Sequence, residues 1–398
     1  MSLTLCGCYN LEINGVKNAH VNEDGDLILS YFDGTEKNAG PVKIIDNTTN
    51  GDIINNNITV NSQGGSDLSL ATAKGLMSTV RVICRHGLSG SQGAGVIYKL
   101  DKTSGDAYII TNYHVVSDGD ANISDDISVY IYGGEKEDMA IKADYVGGSM
   151  HYDIAVIKIE NSNMIKTSSV EEVTVADSDN IFVGENAIAI GNPKGYGISA
   201  TCGVISVDSE SISMEVDDGT TVAFRVMRID SAVNSGNSGG GLFNSRGELI
   251  GIVNAKINDS SVENMAFAIP VSIATAVADS LIEQPEHDTL QRVLLGIMVE
   301  GADSKAVYDT ETGRAYISET VKVSDVTEGS VAEGKLAAGD IIKKISIGER
   351  EREITRIHHV IDFMLTARLG DTVVLAVERN GEEKTVSFVV TEEYIVSY

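Results

Sequence analysis

Tryptophan is absent from this 398-residue chain, and proline and cysteine occur only 4 times each. So little proline excludes polyproline or collagen-like architecture. The cysteines are Cys6, Cys8, Cys84 and Cys202, too few and too scattered to form a disulfide framework. Cys84 and Cys202 lie in strand-like apolar runs and read as small buried hydrophobes, although a disulfide between them stays open at this level. Basic residues are also scarce, with 30 Lys and Arg against 58 Asp and Glu, for a net charge of −28. A surface of that sign repels phosphate backbones, so no nucleic-acid partner is expected. No apolar run reaches the roughly 18 residues of a membrane-spanning helix. The histidines lack ligand spacing and the acidic runs match no calcium loop, so neither a metal nor a cofactor is expected.

Glycine is abundant, at 40 residues, and apolar residues make up 42% of the chain. Short Val/Ile/Thr runs separated by turn residues mark a β-rich, globular chain long enough for two or three domains. Residues 1–70 form a polar, Asn/Gly-rich leader with a hairpin signal around Asp24-Gly25 and Asp33-Gly34. At its start, Leu5-Cys6-Gly7 before Cys8 has the pattern of a lipoprotein cleavage site. Cys8 is therefore a candidate for lipidation and membrane anchoring. Residues 71–283 carry about eleven strand-like runs and close on an amphipathic helix, Val271–Glu283. A polar stretch, 284–292, leads to a mixed α/β region, 290–398, with one clear helix near 356–369.

Three segments carry the chemistry. "YIITNYHVV" (108–116) delivers His114 at the end of an apolar strand. "MHYDIAVIKI" (150–159) places Asp153 at the start of another. "AVNSGNSGGGLFN" (232–244) sets Ser238 in a glycine-dense turn. A serine hydroxyl needs a base to become a nucleophile. Histidine supplies one near neutral pH, and a carboxylate fixes its tautomer. The order His, Asp, Ser belongs to the chymotrypsin-like arrangement. The turn Gly236, Asn237, Ser238 is the candidate oxyanion hole, with the Gly236 and Ser238 amides as donors.

These segments, with "AIGNPKGYGISATCGVIS", "MAFAIP", "LLGIMV" and "GKLAAGDIIKKI", resemble the HtrA family of trypsin-like serine proteases with PDZ domains. The resemblance covers about three quarters of the chain and leaves out residues 1–70. It implies a mainly β fold: a trypsin-like double six-stranded β-barrel followed by an α+β PDZ domain. It also implies ATP-independent cleavage of misfolded or regulatory polypeptides outside the cytoplasm, in a bacterial cell envelope, by a homotrimer. In the PDZ resemblance, Leu295, Gly296, Ile297 and Met298 would hold the C-terminus of a peptide beside the helix. Ala232, six residues before the serine, would floor the primary pocket without a carboxylate, and Asn254 and Ala255 would wall it. Asn237 stands where digestive relatives carry an aspartate that pairs with a new N-terminus, so activation by processing is not expected. The rival reading is a peptide-binding scaffold or chaperone with a latent protease fold.

Overall fold

The structure is a computed structural model that describes residues 16–21, 26–31, 35–41 and 68–397, except 88, 120–121, 135, 178–180, 216–218 and 256–264. Two units divide the chain, Met1–Ser66 and Asp67–Tyr398. In the first, β1 (Val16–Val21), β2 (Asp26–Tyr31) and β3 (Glu36–Pro41) pair as an antiparallel meander. This extends the hairpin expected there by one strand. Cys8 lies outside the described residues.

The second unit opens with helix α1 (Leu68–Ser78), which buries Ala71, Gly75 and Ser78. A boundary at 70 would cut this helix, so the leader ends before it. Two closed antiparallel barrels follow. The first runs in the order β4 (Thr79–His86), β5 (Ser89–Asp101), β6 (Asp106–Thr111), β9 (Ile154–Ile159), β8 (Ile141–Ser149), β7 (Asp126–Ile131). The second repeats that order with β10 (Asn186–Gly191), β11 (Ser199–Glu215), β12 (Thr221–Ile229), β15 (Ala266–Pro270), β14 (Leu249–Asn254), β13 (Gly241–Phe243). Short helices α2 (Tyr113–Val116) and α3 (Asn163–Thr167) belong to the first barrel, and α4 (Val271–Glu283) follows the second.

The pleat explains the apolar run in β9. Ala155, Ile157 and Ile159 fill the first barrel, while Ile154 and Val156 point into a separate core shared with the second barrel and α4. Successive side chains face opposite ways, and both faces are dry, so no polar alternation survives. Each fully buried Ile or Val contributes about 1.5–3 kcal/mol relative to exposure. The first half of β5 is rich in glycine, and Gly93 and Gly95 lack side chains because Ser238 O and the Ile109 side chain lie too close for a Cβ.

The C-terminal region has its own core around Ile342, Ile345, Val373, Leu375 and Phe388. Its sheet runs β17 (Ile297–Asp309), β18 (Arg314–Val326), β19 (Ile341–Ile347), β21 (Thr372–Arg379), β22 (Glu382–Val389). β20 (Arg350–Glu353) pairs with β19, and β16 (Gln291–Val293) with β23 (Ile395–Ser397). Helix α5 spans Ile357–Met364. The polar stretch before β16 is not a loose linker. The Gly148 N–H donates to Asp288 O at 2.9 Å, and Leu290 is fully buried.

Candidate active site

Each chemical group sits where a regular element ends. Strand β6 ends at Thr111, and the buried Asn112 donates its side-chain amide to Asp153 O at 2.8 Å. Val115 and Val116 pin α2 into the first barrel and so fix His114 between them and Asn112. Asp153 occupies the turn before β9 with φ +50°, a left-handed conformation that Asp tolerates better than most residues. That turn aims both carboxylate oxygens at His114. Oδ1 accepts the His114 backbone N–H at 2.9 Å, and Oδ2 accepts the ring Nδ1–H at 2.6 Å. With the proton held on Nδ1, Nε2 is left as the basic nitrogen.

A third donor reaches the same carboxylate. Asn254 Nδ2 lies 2.7 Å from Asp153 Oδ2, and Asn254 is fully buried. Sequence reasoning set Asn254 in the pocket wall. The structure puts its side chain beneath the carboxylate instead, because β14 ends directly behind Asp153. The only available signal was one polar residue closing an otherwise apolar strand.

Ser238 lies in the loop before β13, braced across both barrels. Its carbonyl accepts from Ala94 N at 2.8 Å on β5, and Gly239 N donates to Val253 O at 3.0 Å on β14. Gly239 has φ +83°, and a Cβ there would meet Ala94 O at 2.2 Å and Thr111 Oγ1 at 2.3 Å. Among the described residues no hydrogen bond joins Ser238 to His114. The hydroxyl oxygen instead accepts from Ala255 N at 3.2 Å.

The oxyanion turn divides its amides. Asn237 N donates to Asn234 O at 2.9 Å, so the Asn237 amide is engaged within the turn. The Gly236 and Ser238 amides have no acceptor among the described residues. The turn's orientation is held from the neighbouring loop. Lys194 N donates to Ser235 O at 2.7 Å and Asn192 N to Gly236 O at 3.1 Å. Since C=O and N–H point opposite ways across a trans peptide, binding Ser235 O fixes the direction of the Gly236 N–H. Lys194 itself has φ +53°.

Ala232 is exposed, with its carbonyl accepting from Thr201 Oγ1 at 2.9 Å, and Ala255 adjoins Ser238. Cys84 is buried and Cys202 exposed, and both are free thiols. Burial pushes the Cys84 thiol up to about 12, so it is inert at neutral pH. No group of His, Cys, Asp or Glu among the described residues could hold a metal.

Two facing barrels that bring a serine, an Asp-bound histidine and unspent amides to one cleft define a serine endopeptidase of the trypsin-like class. The trypsin-like peptidase domain family matches residues 93–252, a span containing all three side chains. Among curated proteins, the chain is similar to the serine protease Do-like HtrA of Lactococcus lactis subsp. cremoris (strain MG1363). The two are 33% identical over 74% of this chain and 69% of that protein. It is also 33% identical to the Do-like HtrB of Bacillus subtilis (strain 168), over 75% of this chain and 62% of that protein. Among solved structures, the HtrA-type protease AlgW with tripeptide aligns with a TM-score of 0.53 and 27% identity, over 82% of this chain and 97% of that one. The chain belongs to the HtrA family of serine proteases.

Proposed function

We propose that His114, Asp153 and Ser238 form the catalytic triad of this endopeptidase, with Gly236 and Ser238 as oxyanion donors. The reading rests on the paired Asp153–His114 hydrogen bonds, which leave His114 Nε2 basic beside the serine loop. Rotation of Ser238 about χ1 would exchange the Ala255 amide for that nitrogen. Catalytic hydrogen bonds often form only once substrate is bound. Ser238 Oγ then attacks the scissile carbonyl carbon while His114 takes its proton. The oxyanion settles on the Gly236 and Ser238 amides. The tetrahedral centre collapses, the C–N bond breaks, and His114 returns the proton to the leaving amine. Water repeats the sequence on the acyl-enzyme and frees Ser238.

Unfolded or exposed polypeptides are the proposed substrates. A primary pocket floored by Ala232 and flanked by Ala255 suits small or medium apolar side chains before the cut bond.

The C-terminal region acts in this reading as a PDZ domain. Strand β17 is a sheet edge beside α5, and it follows Gly296, which has φ +73°. Leu295 is buried, while Met298 is exposed on that edge. A peptide C-terminus would bind the Leu295–Ile297 amides and add as a strand along Ile297 and Met298. No helix among the described residues is long and apolar enough to cross a membrane. Protein quality control outside the cytoplasm, in a trimer, completes the proposal by likeness to the family.

The test is digestion of β-casein by the wild type and by Ser238→Ala, with mass spectrometry of the cut sites. Cleavage by the wild type alone, after small apolar residues, is expected. Retained cleavage by Ser238→Ala would refute the assignment.

A further inference from the structure

The mechanism fixes where the departing half of the substrate must lie. His114 gives its proton to the leaving nitrogen, so the residue just after the cut bond passes directly against the imidazole. The acyl half lies on the other side, by Ala255 and Ala232. A hollow of about 360 Å³ borders His114, walled by the β4–β5 hairpin (His86 and Ser89–Ser91) and by the turn after α2 (Ser117–Gly119). Strand β5 links this hollow to the nucleophile. Ser91 lies three residues before Ala94, whose amide binds Ser238 O. At about 3.3 Å per strand residue, that separation is roughly 10 Å, which a long side chain on the first or second substrate residue after the cut bond can span.

The lining is polar. Ser91 Oγ donates to Val115 O at 2.7 Å, which ties the two walls together. The carboxylate of the exposed Asp118 takes hydrogen bonds from Asn122 N at 3.1 Å and Nδ2 at 3.0 Å, so it is held in place at the rim. His86 also lines the hollow, and its Nε2 is buried without a hydrogen-bond partner. A carboxylate held at the rim of a hollow that also holds an unpaired imidazole nitrogen suits a side chain that carries positive charge and N–H donors. It disfavours a carboxylate there by like-charge repulsion.

We infer that this hollow is a primed-side specificity site that selects Lys or Arg at the first or second residue after the cut bond, through Asp118 and His86. The inference rests on the triad assignment above.

The experiment compares peptides identical except for Lys, Ala or Glu after the cut bond. Cleavage of an aminocoumarin peptide, which has no residue beyond the bond, reports the triad reading separately. We expect the wild type to prefer Lys over Glu by about fivefold or more, and Asp118→Asn and His86→Gln each to shrink that ratio. Asn at 118 keeps the shape and most of the turn's hydrogen bonds, so loss of folding is not the expected result. A wild-type ratio near one, with the aminocoumarin peptide cleaved, overturns the inference and leaves the triad standing. A Lys preference that survives both substitutions also overturns it. Failure to cleave either kind of substrate would overturn both readings together.

Discussion

Asn254 and His114 share one oxygen of Asp153, so that carboxylate answers to three donors: a backbone N–H, a ring N–H and a side-chain amide. Removing the amide leaves a buried carboxylate under-bonded and free to turn away from the imidazole. A hydrogen bond to a charged group is worth about 1.5–3 kcal/mol. Asn254→Ala is therefore expected to lower kcat/KM by about 10–100-fold. The loss should fall on kcat, because the Asn254 side chain binds the carboxylate that orients the proposed base. A loss carried by KM alone would contradict this role. The three side chains of the proposed triad could be picked out in the sequence, because each sits beside a strand whose apolar residues announce it. Asn254 was not legible as a positioning residue. A lone polar residue closing an apolar strand looks the same whether it faces a pocket or a neighbouring carboxylate.

Among the elements, most barrel strands and α4 could be read from apolar runs and turn residues, while their closure into two barrels came from the family resemblance; the bounds expected for α4 match the structure. Helix α1 could not. Its buried face is Ala71, Gly75 and Ser78, and a Cβ at Gly75 would lie 2.6 Å from Ile190 Cδ1. Close packing there demands small residues, so the helix has no stripe of large apolar ones to signal it. The serine loop shows the same pressure. At Gly239 a Cβ would collide with Ala94 O and Thr111 Oγ1 in a backbone conformation already unfavourable for L-residues. Gly239→Ala is expected to destabilise the protein by about 3 kcal/mol, combining left-handed strain with overpacking. Thermal unfolding would measure this, and an unchanged Tm would show that the loop can yield.

On the scale of the whole molecule, the C-terminal region is joined to the second barrel by ion pairs rather than by apolar area alone. Arg225 on β12 pairs with Asp362 on α5, and both are buried with Ser272 of α4. Arg356 meets Asp208 at 2.5 Å, and Ser209 Oγ lies 3.2 Å from His358 Nδ1. His358 is buried in this junction, where the β11 segment meets α5. Burial, and then the guanidinium of Arg225, hold His358 well below the usual histidine range. Burial and Arg352 bring His359 down to about 3. Both are neutral in the folded protein, whereas in the unfolded chain they gain protons below about pH 6.5. Between pH 6.5 and 3 the unfolded state binds more protons, so this contribution to stability is lost as the pH falls. His359→Gln should therefore lose less Tm than the wild type between pH 7 and pH 5. Parallel losses would exclude the histidine.

Strand β17 begins at the edge where a peptide would add and continues through thirteen residues into a hairpin with β18. Just past the hairpin turn, Arg314 stacks 4.2 Å from the Phe182 ring and pairs with Glu185 at 3.4 Å, at the foot of the second barrel. At about 3.3 Å per residue the strand spans at most roughly 43 Å, with irregular pairing at Met298/Val299 and Ala302/Lys305. If a guest strand adds at Ile297 as proposed, a twist applied there would have a lever arm that rests on the barrel, with Arg314 as its far bearing.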